Sequence, residues 1–319
     1  MFCVRSVNYR VVLNGEIYDA FSPGCGIRQR DPISPYLFVL CMEKLSHLIV
    51  DCVNKGSWKP IAVSKGGPLI SQLFFADDLI LFGHATIQQA ESMKLCLDRF
   101  CGSSGQEVSF SKSRVFCSSL VRDGDARALA SICGSPITKD LGKYLGVPLL
   151  HSRIIKHTYC DILEKTQKRL ASWKSVTLSV ASRVTLIKAI TAVIPVYSMQ
   201  TIKLPNDMCY RLDKVNRDFL WGHTVDKKTV HLVNWRTVCT PKGNGGPGIK
   251  STKLMNQSLL AKAGWRILQG DKGVWSQLLT CKYLNNANLL TPGDSDKPVC
   301  SNTWKDIKFG AKLLSSGIN

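Results

Sequence analysis

Two short apolar runs enclose a pair of adjacent aspartates in the first third of the chain. The segment reads FFADDLILF over residues 74–82, and its charged side chains are Asp77 and Asp78. The runs 74–76 and 79–82 each have the length and composition of a short buried strand. This pattern predicts a β-hairpin with both aspartates at its turn. Because an unpaired buried charge is costly, it also predicts a cationic partner for the two carboxylates.

A hairpin and a helix are predicted upstream of the aspartates. Residues 7–21 read VNYRVVLNGEIYDAF, and the central Asn14 and Gly15 favour the type I′ turn of a two-residue hairpin. Ser34 is placed to cap a following helix, with Pro35 at its first position. The apolar positions of this helix share one face, which we expect to pack beneath the sheet that carries the aspartates: Leu37, Leu40, Cys41, Leu45, Leu48, Ile49 and Cys52.

The periodicity downstream of the aspartates is mostly helical. Residues 87–100 and Thr252–Leu268 predict helices, and residues 106–117 predict a strand or strand pair with a turn at 111–113. Three further amphipathic helices are expected between these segments. Their apolar positions are Ile155, Tyr159, Ile162, Leu163, Thr166, Leu170 and Trp173 in the first, Val180, Val184, Ile187, Thr191 and Ile194 in the second, and Met208, Leu212, Val215 and Phe219 in the third.

These patterns predict an α+β fold. Residues 1–150 should hold an antiparallel sheet with packed helices, residues 151–222 a helical region, and residues 223–319 a mainly helical, partly irregular extension. A chain of 319 residues with 45% hydrophobic content is long enough to bury a core. The most apolar stretch, 184–199, is interrupted by a lysine and a proline and is too short to span a bilayer.

Basic charge is concentrated in one part of the chain. The formal charge is +19, and residues 151–270 carry 20 Lys and Arg against 6 Asp and Glu, which leaves a balance of +5 for the rest. Such a concentration is the electrostatic footprint of a surface that binds nucleic-acid backbone. A merely solvated basic face is the alternative interpretation.

The 13 cysteines are odd in number and contain no C-x-x-C pair. They indicate reduced thiols and an intracellular location, nuclear or cytoplasmic, rather than a disulfide framework. Residues 1–12 do not resemble a secretory signal. Cys209, His223, His231 and Cys239 match no familiar zinc spacing, so the sequence argues against a zinc site there.

Several motifs follow one another in a specific order. They are GIRQRDPISPYLF at 26–38, FADD at 75–78, SGQEVSFSKS at 104–113, KYLGVPL at 143–149, DFLWG at 218–222 and GGPGIK at 245–250. In this order they resemble the reverse transcriptase of plant non-LTR (LINE-type) retrotransposons. The resemblance extends over nearly the whole chain.

The resemblance implies an RNA-directed DNA polymerase with a partial palm in residues 1–150, a helical thumb in 151–222 and a C-terminal connection. Family members catalyse two-metal nucleotidyl transfer, in which Asp77 and Asp78 would hold Mg²⁺. Lys112 would lie near the incoming triphosphate and act with them in catalysis. The expected partners are an RNA template and a DNA primer, with non-specific nucleic-acid binding in this chain and no membrane.

The same resemblance assigns residues to substrate and template binding. They are Arg28, Gln29, Tyr144, Gly146, Lys165, Lys168, Arg169, Lys174 and Arg183. The basic side chains of the thumb helices would contact duplex phosphates, which positions nucleic acid without reading its sequence. Local context alone leaves ordinary interpretations open, namely a solvated turn at Lys112 and a plain strand at Tyr144.

The chain also departs from the family pattern. Arg30 stands where the family has glycine; if that position needs a positive φ, a side chain costs about 1–2 kcal/mol. An arginine would also put bulk and charge into the substrate space. The family's fingers and first metal-binding aspartate motif, and its zinc-binding and ribonuclease H segments, are not found in the sequence. We therefore expect an internal, degenerate fragment.

Three functions remain open from the sequence. The first is a catalytically silent fragment of a LINE-type reverse transcriptase. The second is a domesticated, non-catalytic RNA- or DNA-binding module that kept the basic helices. The third is a polymerase part completed in trans by another polypeptide.

Overall fold

The computed structural model describes residues 6–24, 26–149, 159–171, 177–223, 229–284, 289 and 300–315. Short antiparallel hairpins and longer helices make up this part of the chain, which confirms the mixed α+β class. The chain divides into two compact units. The first comprises Met1–Val63 and Leu69–Leu141, and the second comprises Ser64–Pro68 and Gly142–Asn319.

The first unit combines hairpins with three helices among its described residues. Its elements are β1 (Val12–Leu13), β2 (Glu16–Ile17), α1 (Ser34–Asn54), β3 (Ile61–Ala62), β4 (Leu69–Ile70), β5 (Gln72–Phe75), β6 (Asp78–Leu81), α2 (Ile87–Ser104) and α3 (Asp123–Cys133). Successive strands pair as separate two-stranded ribbons. The described strands therefore do not join into the single sheet that the sequence predicted, since none of them pairs on both edges.

The turn between β1 and β2 has the predicted conformation. Asn14 and Gly15 have φ values of 53° and 89°, and positive φ at both central residues is what a type I′ turn requires. The predicted cap of α1 is wrong. Ile33 is the N-cap and Ser34 is the first residue of the helix. The Ser34 hydroxyl donates to the carbonyl oxygen of Arg28 at 2.6 Å instead of capping a backbone N–H.

The core of the first unit lies between α1, α2 and the β5–β6 ribbon. Its buried members are Leu45, Ile49, Trp58, Cys96 and Phe100, and Phe74, Leu79 and Leu81 of the ribbon pack against them. The prediction that α1 packs beneath the aspartate hairpin is confirmed. Only residues from Cys41 onward take part, so the prediction for Leu40, which is exposed, is wrong.

The segment 106–117 is not a strand pair. It consists of turns around 110–112 and a single isolated bridge from Val115 to Ile137. The Ser113 hydroxyl donates to the carbonyl oxygen of Ser109, and Arg114 donates to the carbonyl oxygen of Ser111. Such local side-chain bonds compete with a strand ladder, which explains why the prediction fails. The helix α2 is confirmed, whereas α3 was not predicted.

The second unit is mainly helical. Its elements are β7 (Lys143–Tyr144), β8 (Val147–Pro148), α4 (Cys160–Ala171), α5 (Val180–Leu186) continuing as a π-helix over Ile187–Thr191, α6 (Val196–Met199), α7 (Asn206–Leu220), α8 (Trp235–Val238), a 3₁₀ turn (Lys242–Asn244), α9 (Thr252–Leu268), α10 (Val274–Tyr283) and α11 (Asn302–Ser315). The bounds of α9 are those predicted. No helix in the described ranges has both the length and the apolar character needed to cross a membrane.

The predicted apolar faces of α4 and α7 lie in two of the buried clusters of this unit. Tyr159 and Leu163 pack with Leu212 in one buried cluster, and Leu170 packs with Phe219 in another. The middle helix differs from the prediction because it widens into a π-helix over Ile187–Thr191, where the Thr191 hydroxyl donates to Asn216 Oδ1 at 2.7 Å. Ile155 and Trp173 lie outside the described residues.

Candidate functional site

Asp77 and Asp78 lie at the tip of the β5–β6 ribbon. The register pairs Phe75 with Asp78, so Ala76 and Asp77 form a two-residue loop and Asp78 begins β6. Ala76 has φ of 51°, a left-handed conformation that costs a residue with a side chain about 1–3 kcal/mol. The hairpin is confirmed, with Asp77 in the turn and Asp78 at the first strand position.

The two carboxylates are exposed to solvent. Among the described residues, no Lys, Arg or His forms an ion pair with either of them. The expectation of a cationic partner is therefore wrong. It rested on burial of the pair, and a carboxylate that remains in water keeps its hydration without one.

The ribbon presents two different faces. Phe74 and Leu79 point toward the core, whereas the neighbouring pair Phe75 and Asp78 lies on the other face, where Phe75 is 58% exposed. Gln72 at the start of the ribbon donates to the Ser46 hydroxyl of α1 at 2.7 Å. The carboxylates thus stand on a ribbon that is anchored through its opposite face.

A shallow groove of about 640 Å³ lies beside the hairpin tip. Its walls come from residues 27–31, from the first half of α1 and from Phe74 and Ala76 of the ribbon. Arg28 and Gln29 both line it. The structure therefore brings these two predicted binding residues to the same groove as the loop that carries Asp77.

Arg30 lines the same groove and has a φ of 63°. This positive φ is the conformation in which a side chain costs about 1–2 kcal/mol and a glycine costs nothing comparable. Asp31 stabilises the turn that follows, because its Oδ1 accepts the backbone N–H of Ile33 at 3.0 Å. Asp31 and Glu43 also line the groove, and the sequence analysis did not single them out.

Lys112 lies in an exposed turn of the first unit. Its backbone N–H donates to the carbonyl oxygen of Ser109 at 3.1 Å, and within the described residues its ammonium group forms no ion pair. Its assignment to the triphosphate therefore stays a prediction.

Tyr144 and Gly146 belong to the small β7–β8 hairpin of the second unit. Leu145 and Gly146 form its two-residue turn, with φ values of 51° and 81°. The ammonium group of Lys143 pairs with Asp161 of α4 and anchors the hairpin on that helix. The structure thus has a hairpin here rather than a plain strand, and the contact of Tyr144 and Gly146 with nucleic acid stays a prediction.

Three of the predicted phosphate-binding residues share one face of α4. Lys165, Lys168 and Arg169 are exposed and stand three and four positions apart, so they lie next to one another on the helix. Lys174 lies outside the described residues.

Arg183 serves the framework of the second unit. Its guanidinium donates to the carbonyl oxygens of Leu178 at 3.1 Å and Leu220 at 3.0 Å. Lys188 similarly donates to the carbonyl oxygen of Pro247, which lies in the GGPGIK segment at 245–250. Arg183 and Lys188, two basic side chains that could contact phosphate, are thus already bound to backbone carbonyl oxygens.

His223 and His231 are neighbours in space, with 3.0 Å between their Nε2 atoms. Cys209 and Cys239 do not join them: each packs in a separate apolar cluster. Burial raises the pKa of Cys209 to about 11 and that of Cys239 to about 12, so neither offers a thiolate at neutral pH. Asp218 instead lies beside the two histidines, so that the three side chains form a cluster of possible metal ligands. Asp218 was not among the residues predicted from the sequence.

The signal for Asp218 was present in the sequence as the glycine of DFLWGH. A glycine just after a helix allows the chain to turn back over the last helical residues. The residue after Gly222 therefore returns toward Asp218, and that residue is His223.

Residues 3–149 match the family model described as reverse transcriptase (RNA-dependent DNA polymerase). An Arabidopsis thaliana protein described as a candidate ribonuclease H protein is 42% identical to the chain over 177 residues. The aligned part covers 54% of this chain and 28% of that relative.

Two uncharacterized mitochondrial proteins of Arabidopsis thaliana are also similar. One is 30% identical over 126 residues, which cover 39% of this chain and 80% of the relative. The other is 45% identical over 67 residues, which cover 21% of this chain and 55% of the relative.

Proposed function

Because this chain belongs to the reverse transcriptase (RNA-dependent DNA polymerase) family, we propose that it is the palm and thumb portion of a LINE-type retrotransposon polymerase. The observation that supports this function best is the groove that residues 27–31 share with the tip of the aspartate hairpin. A polymerase needs metal-binding carboxylates and substrate-binding donors at one place, and this groove lies beside both.

Asp77 and Asp78 are the proposed metal ligands. They offer hard oxygen atoms, they are exposed, and within the described ranges no ion pair occupies them, so they fit a divalent cation such as Mg²⁺. When bound, Mg²⁺ would neutralise charge on the triphosphate and activate the primer hydroxyl. The anchored ribbon would hold the two carboxylates still while substrate binds.

Arg28 and Gln29 are the proposed substrate contacts within the groove. A guanidinium can bind two phosphate oxygens at once, and an amide can both donate and accept hydrogen bonds. Lys112 is proposed to face the triphosphate. Tyr144 and Gly146 are proposed to hold the primer strand, where a glycine permits close approach of backbone.

We propose that the chain is catalytically silent as it stands. In the part of the chain that the structure describes, no third His, Cys, Asp or Glu joins Asp77 and Asp78 in a cluster. Two adjacent carboxylates supply only part of a two-metal site. In addition, Arg30 lines the groove that nucleotide or template would enter, where it adds bulk and charge that a glycine would not.

Primer extension on RNA and DNA templates tests this proposal. The purified 319-residue chain should incorporate no deoxynucleotide above background with Mg²⁺ or Mn²⁺. Incorporation that disappears in an Asp77→Ala variant would contradict silence while supporting the metal assignment. Incorporation that persists in Asp77→Ala would contradict the metal assignment itself.

Repair of the site is the stronger test. A family fingers segment with its aspartate motif, fused to the chain, should give little activity while Arg30 remains, and Arg30→Gly should then raise incorporation sharply. Asp77→Ala in the repaired protein should abolish it. The mechanism fails if the fusion is fully active with Arg30 in place. The same segment added as a separate polypeptide tests completion in trans.

A non-catalytic nucleic-acid-binding module is the second candidate. The exposed basic face of α4 favours it, because Lys165 and Lys168 are available to phosphate whether or not the aspartate groove works. Binding to duplex or RNA–DNA hybrid that is weak, salt-dependent and unaffected by Asp77→Ala would support this function. An intracellular location is part of both proposals.

A further inference from the structure

Asp218, His223 and His231 form a compact group of metal-ligating side chains. Their three ligand atoms lie within 4.8 Å of one another, and within the described residues this is the one such cluster of three. His231 Nε2 lies 3.0 Å from His223 Nε2 and 3.8 Å from Asp218 Oδ1. A tetrahedral zinc ion with bonds of about 2.0–2.1 Å separates its ligand atoms by about 3.3 Å. The two observed distances lie on either side of that value.

The end of α7 places two of these ligands. Gly222 has φ of 72°, its N–H donates to the carbonyl oxygen of Phe219, and the N–H of His223 donates to the carbonyl oxygen of Asp218 at 2.8 Å. This pair of bonds is a Schellman motif, which returns the chain over the last helical turn. Such motifs commonly bring together two apolar side chains at these positions, whereas here they are a carboxylate and an imidazole.

The third ligand is held by the returning chain. The hydroxyl of Thr229 donates to the carbonyl oxygen of Trp221 at 2.7 Å, and the imidazole of His231 stacks on the Trp221 ring with a centroid distance of 6.5 Å. Because separate contacts position His223 and His231, their approach does not depend on the bond between them. The group therefore resembles a prepared site more than a chance contact of surface side chains.

We propose that Asp218, His223 and His231 bind a divalent transition-metal ion of the Zn²⁺ type. Imidazole nitrogen favours such ions over Mg²⁺, which prefers oxygen ligands. Three protein ligands leave at least one coordination position open. The side chains of His231 and Asp218 are 33% and 31% exposed, so water can reach that position. The site belongs to the second unit and does not use Asp77 or Asp78.

Zinc titration of the tag-free 319-residue chain, followed by NMR of the histidine rings, tests the proposal. The chain has 6 histidines, and ring resonances report the site directly despite the 13 cysteines. His223 and His231 should shift together and saturate at one equivalent of Zn²⁺. His47, which lies 3.5 Å from the carboxylate of Glu43, is the internal control, since it has one carboxylate neighbour and no second imidazole in the described structure.

Single-ligand variants complete the test. His223→Gln, His231→Gln and Asp218→Asn should each weaken zinc affinity by more than about tenfold, the smallest loss typical of even an outer-shell change, whereas His47→Gln should leave it unchanged. Each replacement keeps a polar side chain of similar size, and circular dichroism checks the fold. The proposal is overturned if the two rings do not shift, if any ligand variant loses less than about tenfold, or if His47→Gln weakens binding equally. The pair would then be a simple hydrogen bond between two imidazoles.

Discussion

The aspartate hairpin of the first unit and the basic helices of the second unit use their charged side chains in opposite ways. Asp77 and Asp78 are exposed, and no described residue forms an ion pair with them. Arg183 and Lys188 instead donate to backbone carbonyl oxygens, and Arg183 in this way supports the end of α7. The two aspartates are available to a ligand, whereas Arg183 and Lys188 stabilise the second unit.

This difference shows that the net charge of a region overestimates how many of its side chains can bind phosphate. A lysine or arginine whose donors already bind carbonyl oxygens must lose those bonds before it contacts phosphate, and such bonds from charged groups contribute about 1.5–3 kcal/mol each. Among the predicted phosphate-binding residues, Lys165 and Lys168 on the exposed face of α4 are the better candidates.

The largest effect is expected for a charged residue of the framework. Arg183→Met removes the hydrogen bonds to the carbonyl oxygens of Leu178 and Leu220 from a partly buried guanidinium. We expect the free energy of unfolding to fall by about 2–3 kcal/mol. Lys165→Met, the exposed control, should change it by no more than about 0.5 kcal/mol. Urea unfolding followed by tryptophan fluorescence measures both, and equal losses would remove the contrast between the two kinds of residue.

The salt dependence of nucleic-acid binding sharpens the same contrast. Each phosphate contact contributes about 0.9 to the slope of log affinity against log salt for B-DNA, so Lys165→Gln with Lys168→Gln should lower the slope by about 1.8. Lys55→Gln with Lys139→Gln, two exposed lysines of the first unit, is the matched control. Fluorescence anisotropy at several salt concentrations gives the slopes. An unchanged slope in the α4 variant would rule out that face as the binding surface.

A smaller effect is expected in the groove. Arg30→Gly should raise the free energy of unfolding by about 1 kcal/mol, because Arg30 has a positive φ that glycine adopts without strain. Arg28→Gly is the control; its φ is not positive, so the added backbone freedom should lower stability by about 0.5–1 kcal/mol. Denaturation midpoints compare the two. If both variants lose stability, the backbone at position 30 is not strained by its side chain.

The smallest effect concerns Asp306, a half-buried carboxylate of the second unit. Burial raises the pKa of Asp306 above its ordinary value of 3.8, against the opposing effect of Lys203, whose N–H donates to it at 2.9 Å. Since the folded state holds the proton more tightly, stability is greatest below about that value and falls as pH rises through the folded pKa. Asp306→Asn keeps an acceptor for Lys203 and removes the charge.

The variant should therefore be more stable than the original chain at neutral pH, and the difference should vanish as pH falls below the ordinary carboxyl pKa of 3.8. Free energies of unfolding measured across that range give the comparison. If Asp306→Asn were instead less stable than the original chain at neutral pH, the ionised carboxylate would stabilise the folded state and the expectation would be wrong.

Local sequence was sufficient for several elements because their causes lie within a few residues. Asn14 and Gly15 adopt the turn that their own backbone preferences favour. The aspartate hairpin follows from two short apolar runs around a polar turn, and the buried faces of α4 and α7 follow from a period of 3.6 residues. The strand prediction at 106–117 fails for an equally local reason, the competing bonds of Ser113 and Arg114.

Exposure and role depend on contacts between residues that are distant in sequence. Arg183 bonds to a carbonyl 37 residues away and Lys188 to one 59 residues away, so no local pattern separates them from the exposed lysines of α4. Asp77 and Asp78 escape burial because only the opposite face of their ribbon packs on α1. Asp218 and His223 meet because the chain turns back at the end of α7. His231 joins them because the Thr229 hydroxyl binds the carbonyl oxygen of Trp221. Hydrophobic periodicity does not encode either contact.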